Sequence, residues 1–454
     1  MTVVLYTLGV AFIALGVGAS IALHEIGHLV PAKRFGVRCK QYMVGFGPTV
    51  WSRQTSETEY GVKAIPLGGY VRMIGMYPPR PTDRPGELRA STTSRMGTLI
   101  DQARQESMDE VQPGDEDRVF YKLAVPKKVV VMLGGPVMNL VLATVLLGVT
   151  LSVVGVPTAV PTLASVGSCV PTAAPTAQKA QPDCQPGDPQ SPALAAGLQA
   201  GDTIVAVDAT PVQTWTQVTS AIRSSAGKTV TFTVSRPGVD QPLTLAAPIV
   251  ALNRAAYADN GQVRLDDSGA VVTESVGYLG ASAASGFVRQ PLTGVPATMG
   301  RMLSETGKAL LTVPAKMVGV VQAVTGQAER DPNGPMSVVG VGRAGGEVAS
   351  GEVGVGDGSP RSVLFLLLSM LVGLNLALFL FNLLPLLPLD GGHVVGALWE
   401  GLKRSVARLL GRPDPGYVDV AKALPLAYAV SSIVIVMAVL LIYADLVTPV
   451  KLAG

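Results

Sequence analysis

Histidine, cysteine, aromatic side chains and charge are all scarce in this 454-residue chain. It contains three histidines, three cysteines and 5 % aromatic residues. Only 15 % of its residues are charged, against about 25 % in soluble globular proteins, which argues against an ordinary soluble enzyme. Basic residues number 35 and acidic residues 32, without a long basic run, so no nucleic-acid partner is expected. Cys39, Cys169 and Cys184 form no CxxC pair, which excludes a cysteine zinc site.

Long apolar runs, in contrast, are abundant, and the mean hydropathy is +0.40. Four runs are long enough for the roughly 20 residues that a helix needs to cross a bilayer. Backbone groups in lipid must bond within their own segment, which favours helices. We expect spans at 1–32, 129–156, 362–393 and 424–447. The first span lacks a basic start and an A-x-A-like cleavage site, so we expect it to be retained rather than removed as a signal.

The distribution of positive charge predicts which side of the membrane each segment occupies. Lysine and arginine lie close to the spans in 33–128 and again in 394–423, so both segments are expected in the cytoplasm. Both termini and residues 157–361 are then expected outside. Cys169 and Cys184 would lie in the oxidising compartment, where a disulfide between them is favoured over two free thiols.

Two segments between the spans have distinct compositions. Within 33–128, Val37–Met73 alternates apolar and polar residues between glycine-containing breaks, which predicts strands and hairpins beside the membrane. Pro78–Arg118 is rich in charge and proline and is expected to be a mobile insert. Residues 286–361 contain apolar residues at helical spacing and are predicted to form a helical connector, on the membrane or against a neighbouring domain.

A compact extracytoplasmic domain is predicted at 191–285, after a proline-rich linker at 157–190. Its core, Ser191–Arg236, contains SPALAAGLQAGDTIVAVD and resembles a bacterial PDZ domain. Such domains bind an extended peptide or a C-terminus by adding it to a sheet edge; the alternative is a small β domain without a ligand. The sequence therefore predicts a polytopic α-helical membrane protein with four transmembrane helices, a membrane-associated β segment and an extracytoplasmic α+β PDZ domain.

The first span ends in HEIGH, residues 24–28. On a helix, His24 and His28 share one face one turn apart, where both imidazoles can bind one metal ion. Glu25 lies beside them and can take a proton from water. Ionisable groups in an apolar span are costly and favour a functional interpretation over a polar helix end at the interface.

A third ligand is predicted near the end of the third span. Asp390 is the only acidic residue between Arg361 and Trp399, and it follows Pro385 and Pro388, which break the helix. Irregular backbone at membrane depth is tolerated where it is buried or lines a wet cavity. Two histidines and a carboxylate with an open position form a catalytic rather than a structural zinc set; the alternative for Asp390 is a helix cap.

HEIGH, together with NLLPLLPLDGG at 382–392, resembles the site-2 protease family of intramembrane zinc metalloproteases. The resemblance covers nearly the whole chain, including GFGP at 45–48 and GGPVMN at 134–139. It is strongest to the bacterial branch with one PDZ domain, found in actinobacteria, which cleaves membrane-bound anti-sigma factors. One departure from the family pattern is the second proline, displaced by one position to Pro388.

The resemblance implies one Zn²⁺ per chain, bound by His24, His28 and Asp390, with Glu25 as the general base. The implied substrates are single-span membrane proteins resembling anti-sigma factors, cut after a first extracytoplasmic cleavage. It also implies a bacterial plasma membrane location, with the active site toward the cytoplasm and the bilayer and a peptide or substrate C-terminus as partners.

An oxyanion donor is also expected in such a site. Asn382 is the first candidate, and a hydrogen bond that holds the unwound backbone is an equal alternative role for it. Asn375 and Asn139 are weaker candidates.

Three other functions account less well for the same residues. A metal transporter would carry ionisable groups in several spans, yet residues 129–156 and 424–443 contain none. A metal-binding PDZ scaffold would need only the ligands, whereas Glu25 is present as well. A serine triad lacks a free histidine, because all three lie in the metal motifs.

Overall fold

The computed structural model describes residues 2–79, 95–173, 183–256, 263–266, 270–353 and 359–450. Its α-helices are α1 (Thr2–Arg34), α2 (Arg95–Asp109), α3 (Val125–Val149), α4 (Pro192–Ala195), α5 (Trp215–Arg223), α6 (Val295–Val324), α7 (Val338–Ser350), α8 (Pro360–Asn382), α9 (Asp390–Leu409) and α10 (Leu424–Val447). Its strands are β1 (Cys39–Gln54), β2 (Glu59–Met73), β3 (Val156–Val166), β4 (Thr203–Val207), β5 (Thr210–Pro211), β6 (Thr229–Ser235), β7 (Leu243–Pro248), β8 (Val250–Ala255), β9 (Thr273–Tyr278) and β10 (Ala281–Val288). The chain divides into two compact units, Met1–Val154 with Arg289–Gly454, and Gly155–Val288.

Four helices in the described part of the chain are long and apolar enough to cross a membrane, as predicted. They cover Thr2–Arg34, Val125–Val154, Pro360–Asn382 and Val420–Val447. The second combines α3 with a π-helical turn at Thr150–Val154. Much of the surface of these helices is apolar and exposed, which is expected where lipid is the solvent.

Glycine allows the membrane helices to approach closely. A side chain on Gly27 of α1 would overlap the carbonyl of Gly134 on α3, and one on Gly134 would overlap the carbonyl of Gly27. Small residues of this kind let helix backbones touch in membranes. The contact places the HEIGH segment directly against α3.

The predicted β segment is an antiparallel hairpin of β1 and β2 with several irregularities in its register. It is attached to the first span by the Tyr42 hydroxyl, which donates to the Ala22 carbonyl at 2.8 Å. Burial, with the nearby Glu25 carboxylate and Tyr60, raises the pKa of Tyr42 to about 12, so this donor keeps its proton at neutral pH. The hairpin therefore lies against the end of α1 that carries the metal motif.

The third predicted span ends earlier than expected. Residues 362–393 were predicted as one span and 394–423 as a loop, but α8 stops at Asn382 and a new helix, α9, begins at Asp390. Pro385 and Pro388 lie in the break, where proline lacks the N–H that a continuous helix needs.

Part of the predicted mobile insert is helical and attached. Residues 80–94 lie outside the described residues, and α2 follows them. Arg104 of α2 is buried and forms ion pairs with Asp101 and Asp419. The pair with Asp419 connects the insert to the segment that leads into α10, which polar composition alone does not indicate.

The connector at 286–361 contains α6 and α7. Met317 and Val320 of α6 form a buried cluster with Ala444 of α10. Helix α6 therefore packs on the fourth span through its C-terminal half.

The unit Gly155–Val288 is built on a sheet with the strand order β10-β3-β4-β6-β7, with β5 beside β4. Strands β8 and β9 form a separate pair. The core includes Phe232, Leu163 and Val218. Residues 157–190 were expected to be a linker, but β3 occupies their start, where its backbone pairs with β10 and, at Thr162, with β4. Cys169 and Cys184 form a disulfide, as the sequence predicts.

Candidate metal centre and active site

The three predicted ligands meet at one point between α1 and α9. The Nε2 atoms of His24 and His28 are 3.3 Å apart, and Oδ2 of Asp390 lies 3.4 Å from each. All three ligand atoms lie within 4.8 Å of one another. Residues separated by more than 360 positions therefore form one cluster, in which each group offers a lone pair to a common centre.

The break between α8 and α9 positions the carboxylate. Asp390 is the first residue of α9, and the chain folds back tightly on α8 just before it. A side chain on Gly391 would overlap the carbonyl of Leu384, and one on Gly392 would lie 2.6 Å from the backbone nitrogen of Leu387. The two glycines are therefore required for Asp390 to reach the histidines.

Gly135 of α3 lines the space between the two imidazoles. A Cβ atom there would lie 2.7 Å from His24 Nε2 and would overlap His28 Nε2. The absence of a side chain leaves this space open on the α3 side. A metal ion bound to both nitrogens needs such a space.

His28 is held in the tautomer that metal binding requires. Its Nδ1 lies 2.8 Å from the backbone carbonyl of Val131 on α3, and the side chain is buried. A carbonyl only accepts, so Nδ1 carries the proton and Nε2 keeps its lone pair. This is the usual arrangement of a metal-binding histidine.

Asn139 of α3 performs the same function for His24. Its amide Nδ2 is placed 3.2 Å from His24 Nδ1, while its buried Oδ1 has no hydrogen-bond partner in the described part of the chain. Amide nitrogen and oxygen are assigned from the network, not seen directly. With the amide rotated by 180°, Oδ1 accepts from His24 Nδ1–H, which satisfies the oxygen and leaves Nε2 free for metal.

Asp390 has the properties of a ligand rather than of a cap. Its Oδ2 is buried without a hydrogen-bond partner among the described residues, and such an orphan is costly unless something else pairs with it. A carboxylate, two imidazole lone pairs and the open space at Gly135 fit a zinc ion.

Glu25 lies next to the cluster and is covered by the hairpin. It is 9 % exposed and close enough to His24, His28 and Asp390 to interact electrostatically with them. A Cβ on Gly69 of β2 would lie 2.8 Å from Glu25 Cγ. The hairpin thus restricts the conformations of this carboxylate without contributing a side chain.

The structure does not join Asn382 to the cluster. It is a half-buried residue at the end of α8, and no hydrogen bond links it to the three ligands within the described ranges. Asn375 is fully buried and donates to Ser20 Oγ at 3.0 Å and Leu371 O at 2.8 Å, which ties α8 to α1. The oxyanion role of Asn382 remains a prediction.

We predict that Gly135→Ala abolishes metal binding, because the added Cβ overlaps the two coordinating nitrogens. Gly373→Ala on α8 is the matched control, since a Cβ there meets nothing within 4 Å. The measurement is zinc per purified chain by elemental analysis. Wild-type zinc content in Gly135→Ala would contradict this placement of the metal.

Asn139→Leu is expected to weaken zinc affinity by about 10–100-fold, the usual effect of losing such an orienting partner. Asn139→Asp keeps an oxygen acceptor for His24 Nδ1–H and is expected to retain most of the affinity. Competition with a chelator measures both. Equal losses in the two variants would indicate a packing role for Asn139 rather than an orienting one.

Comparison with known proteins identifies the family. The model of Peptidase family M50 matches residues 12–410. Zinc metalloprotease Rip1 of Mycobacterium tuberculosis strain H37Rv is 35 % identical over 455 residues, covering 99 % of both chains. Rip1 of Mycolicibacterium smegmatis is 32 % identical over 99 % of both chains. Zinc metalloprotease RasP of Geobacillus kaustophilus is 24 % identical over 83 % of this chain and 86 % of its own.

These relatives are named as metalloproteases, which favours the protease over the transporter and the scaffold. Together with the ligand cluster in the apolar helices, they place the chain in Peptidase family M50, the site-2 proteases, as a zinc-dependent intramembrane protease.

Proposed function

We propose that this protease cleaves single-span membrane proteins resembling anti-sigma factors, in or near their membrane-spanning segments, after a first extracytoplasmic cut. The observation that carries this proposal is the meeting of His24, His28 and Asp390 beside Glu25, at the ends of membrane helices. A substrate segment that lies in the bilayer is the peptide most easily delivered to such a place.

The residues suggest how hydrolysis proceeds. When bound, zinc supplies a Lewis acid that polarises a carbonyl and acidifies water. The Glu25 carboxylate accepts the proton of the attacking water and returns it to the nitrogen of the leaving amine. The hairpin beside Glu25 limits access of bulk water. The hydrogen bond from His28 Nδ1–H to the Val131 carbonyl and the one between His24 and Asn139 keep the two imidazoles in the same orientation throughout.

The proposed orientation follows from the charged residues nearest the site. Lys33 and Arg34 end α1, and Lys127 and Lys128 begin α3, so this side is cytoplasmic by the positive-inside rule. The N-terminus of α1 and the unit Gly155–Val288, which follows the other end of α3, then lie outside. The active site opens toward the cytoplasmic half of the bilayer.

We also propose that Gly155–Val288 is a PDZ domain that binds an extended peptide or a substrate C-terminus. In the described sheet, β10 is the end strand, and a cleft of about 390 Å³ runs between it and α5. Trp215, Thr219 and Arg223 line the helix side, and Ala281 and Ala283 line the strand side. A peptide added to the edge of β10 would occupy this cleft.

Filling the cleft tests the peptide-binding role. Thr219→Trp is expected to raise KM for a trimmed single-span substrate and leave kcat unchanged, since only binding is lost. Ser220→Trp, exposed on α5 and outside the cleft, is the control. An unchanged KM in Thr219→Trp would favour a domain that only excludes untrimmed substrates by size.

The catalytic role of Glu25 is tested by Glu25→Gln in liposomes with a tagged, trimmed substrate. The change removes the base but no ligand, so zinc content is expected to stay at the wild-type value while the rate falls about 10²–10⁴-fold. Glu305→Gln, on the exposed face of α6, controls for purification. Equal cleavage by Glu25→Gln and wild type would remove Glu25 from the mechanism.

A further inference from the structure

Helix α9 has an apolar face that is turned away from the rest of its unit. The residues concerned recur at helical spacing and are between 43 % and 86 % exposed. They are Val395, Leu398, Trp399, Leu402, Val406 and Leu409; we call them the α9 apolar stripe. Contiguous exposed apolar surface of this kind marks a place where something other than water is in contact.

The opposite face of α9 is charged and buried. Glu400 is 2 % exposed, and its carboxylate accepts from Lys128 Nζ on α3 at 2.8 and 3.0 Å. It also accepts from the backbone N–H of Val418 at 3.2 Å and pairs with Arg404 one turn further along α9. In a soluble protein an amphipathic helix turns its apolar side to the core. Helix α9 has the reverse arrangement, which is favourable only in an apolar surrounding.

We propose that α9 is an interfacial helix, with the α9 apolar stripe in the acyl region of the cytoplasmic leaflet. Membrane lipid is the occupant because α9 packs on α3, a helix that is long and apolar enough to cross a membrane. Helix α3 itself has exposed apolar side chains, among them Val130 and Val137. The stripe also contains Trp399, a residue type concentrated at membrane interfaces.

The ion pair to Lys128 sets the depth of the helix. Lys128 lies in the first turn of α3, where the chain enters the span, so Glu400 is held near the membrane surface. Gly135, which faces the metal site, is seven residues further, or roughly 10 Å along α3. Helix α9 therefore extends from the depth of the metal site at Asp390 to the cytoplasmic surface. Exposed basic residues follow there, at Arg408 and Arg412, where they can contact anionic headgroups.

This arrangement gives the bilayer a direct influence on the metal ligand. Asp390 is the first residue of α9, so lipid contacts along the stripe and the Lys128–Glu400 pair together fix the helix that presents the carboxylate. This consequence rests on the proposed protease function, whereas the location of the stripe does not.

Tryptophan fluorescence in reconstituted vesicles tests the location. The chain has three tryptophans, so Trp51→Phe with Trp215→Phe leaves Trp399 alone, and Trp51→Phe with Trp399→Phe leaves Trp215 as the matched control. Lipids brominated on the acyl chain near the headgroup are expected to reduce Trp399 emission and to leave Trp215 emission unchanged. Absence of Trp399 quenching by brominated lipid overturns the proposal. If aqueous acrylamide quenches Trp399 emission instead, the stripe lies in water. If neither brominated lipid nor acrylamide quenches it, the stripe is covered by a second copy of the chain or by another protein.

A charge in the stripe provides a second readout. Leu402→Glu is expected to reduce Trp399 quenching by brominated lipid and to lower zinc content, while Leu194→Glu, on α4 of the other unit, changes neither. Unchanged lipid quenching in Leu402→Glu would contradict the stripe as a lipid contact. Lipid quenching of Trp399 in a protein that never cleaves substrate would contradict the proposed function and leave the interfacial helix intact.

Discussion

The contact between α1 and α3 is the constraint on which the active site depends. Gly27 and Gly134 allow the two backbones to touch, and Gly135 leaves room beside the imidazoles. At any larger separation, the Val131 carbonyl and Asn139 would no longer reach His28 and His24. The interhelical contact therefore serves both as packing and as the orientation of the metal ligands. Side chains larger than hydrogen at these positions would disturb packing and coordination together.

Buried charges are few in the described part of the unit formed by Met1–Val154 and Arg289–Gly454, and the principal ones are paired between elements. Lys128 pairs with Glu400, and Arg330 lies 3.2 Å from Asp445. Asp445 Oδ2 also accepts from the backbone N–H of Ser337 at the start of α7. Ionisable groups at membrane depth are costly and are retained where they pair or act. The first pair attaches α9 to α3, and the second attaches the α6–α7 connector to α10. The polar groups therefore fix helix positions that non-directional apolar contacts alone would not specify.

Local patterns predicted the elements that depend on local chemistry. The i, i+4 spacing of His24 and His28 requires only a helix, and the two prolines before Asp390 require only a break. The cluster, the four spans and the hairpin followed from such signals.

Helix α9 was not predicted as a separate helix because its apolar positions adjoin a predicted span and its lysine and arginine residues are typical of a cytoplasmic loop. The helical repeat from Val395 to Leu409 was the available signal. Strand β3 was missed because its prolines are typical of a linker, and its pairing with β10 depends on a segment more than 100 residues further along the chain. The role of Asn139 in orienting His24 could not be predicted from local sequence, because it depends on contact between two helices that are more than 100 residues apart. The one available signal was its position four residues after Gly135, on the same face of α3.

The most direct test of the account is X-ray absorption at the zinc edge on purified full-length protein. The account predicts a first shell of two imidazole nitrogens at about 2.0–2.1 Å and carboxylate or water oxygens at similar distance, without sulfur. Asp390→Ala should lose an oxygen neighbour or the metal itself, while both imidazole contributions persist in any zinc that remains. A sulfur neighbour, or a number of imidazoles other than two, would contradict a site built from His24, His28 and Asp390.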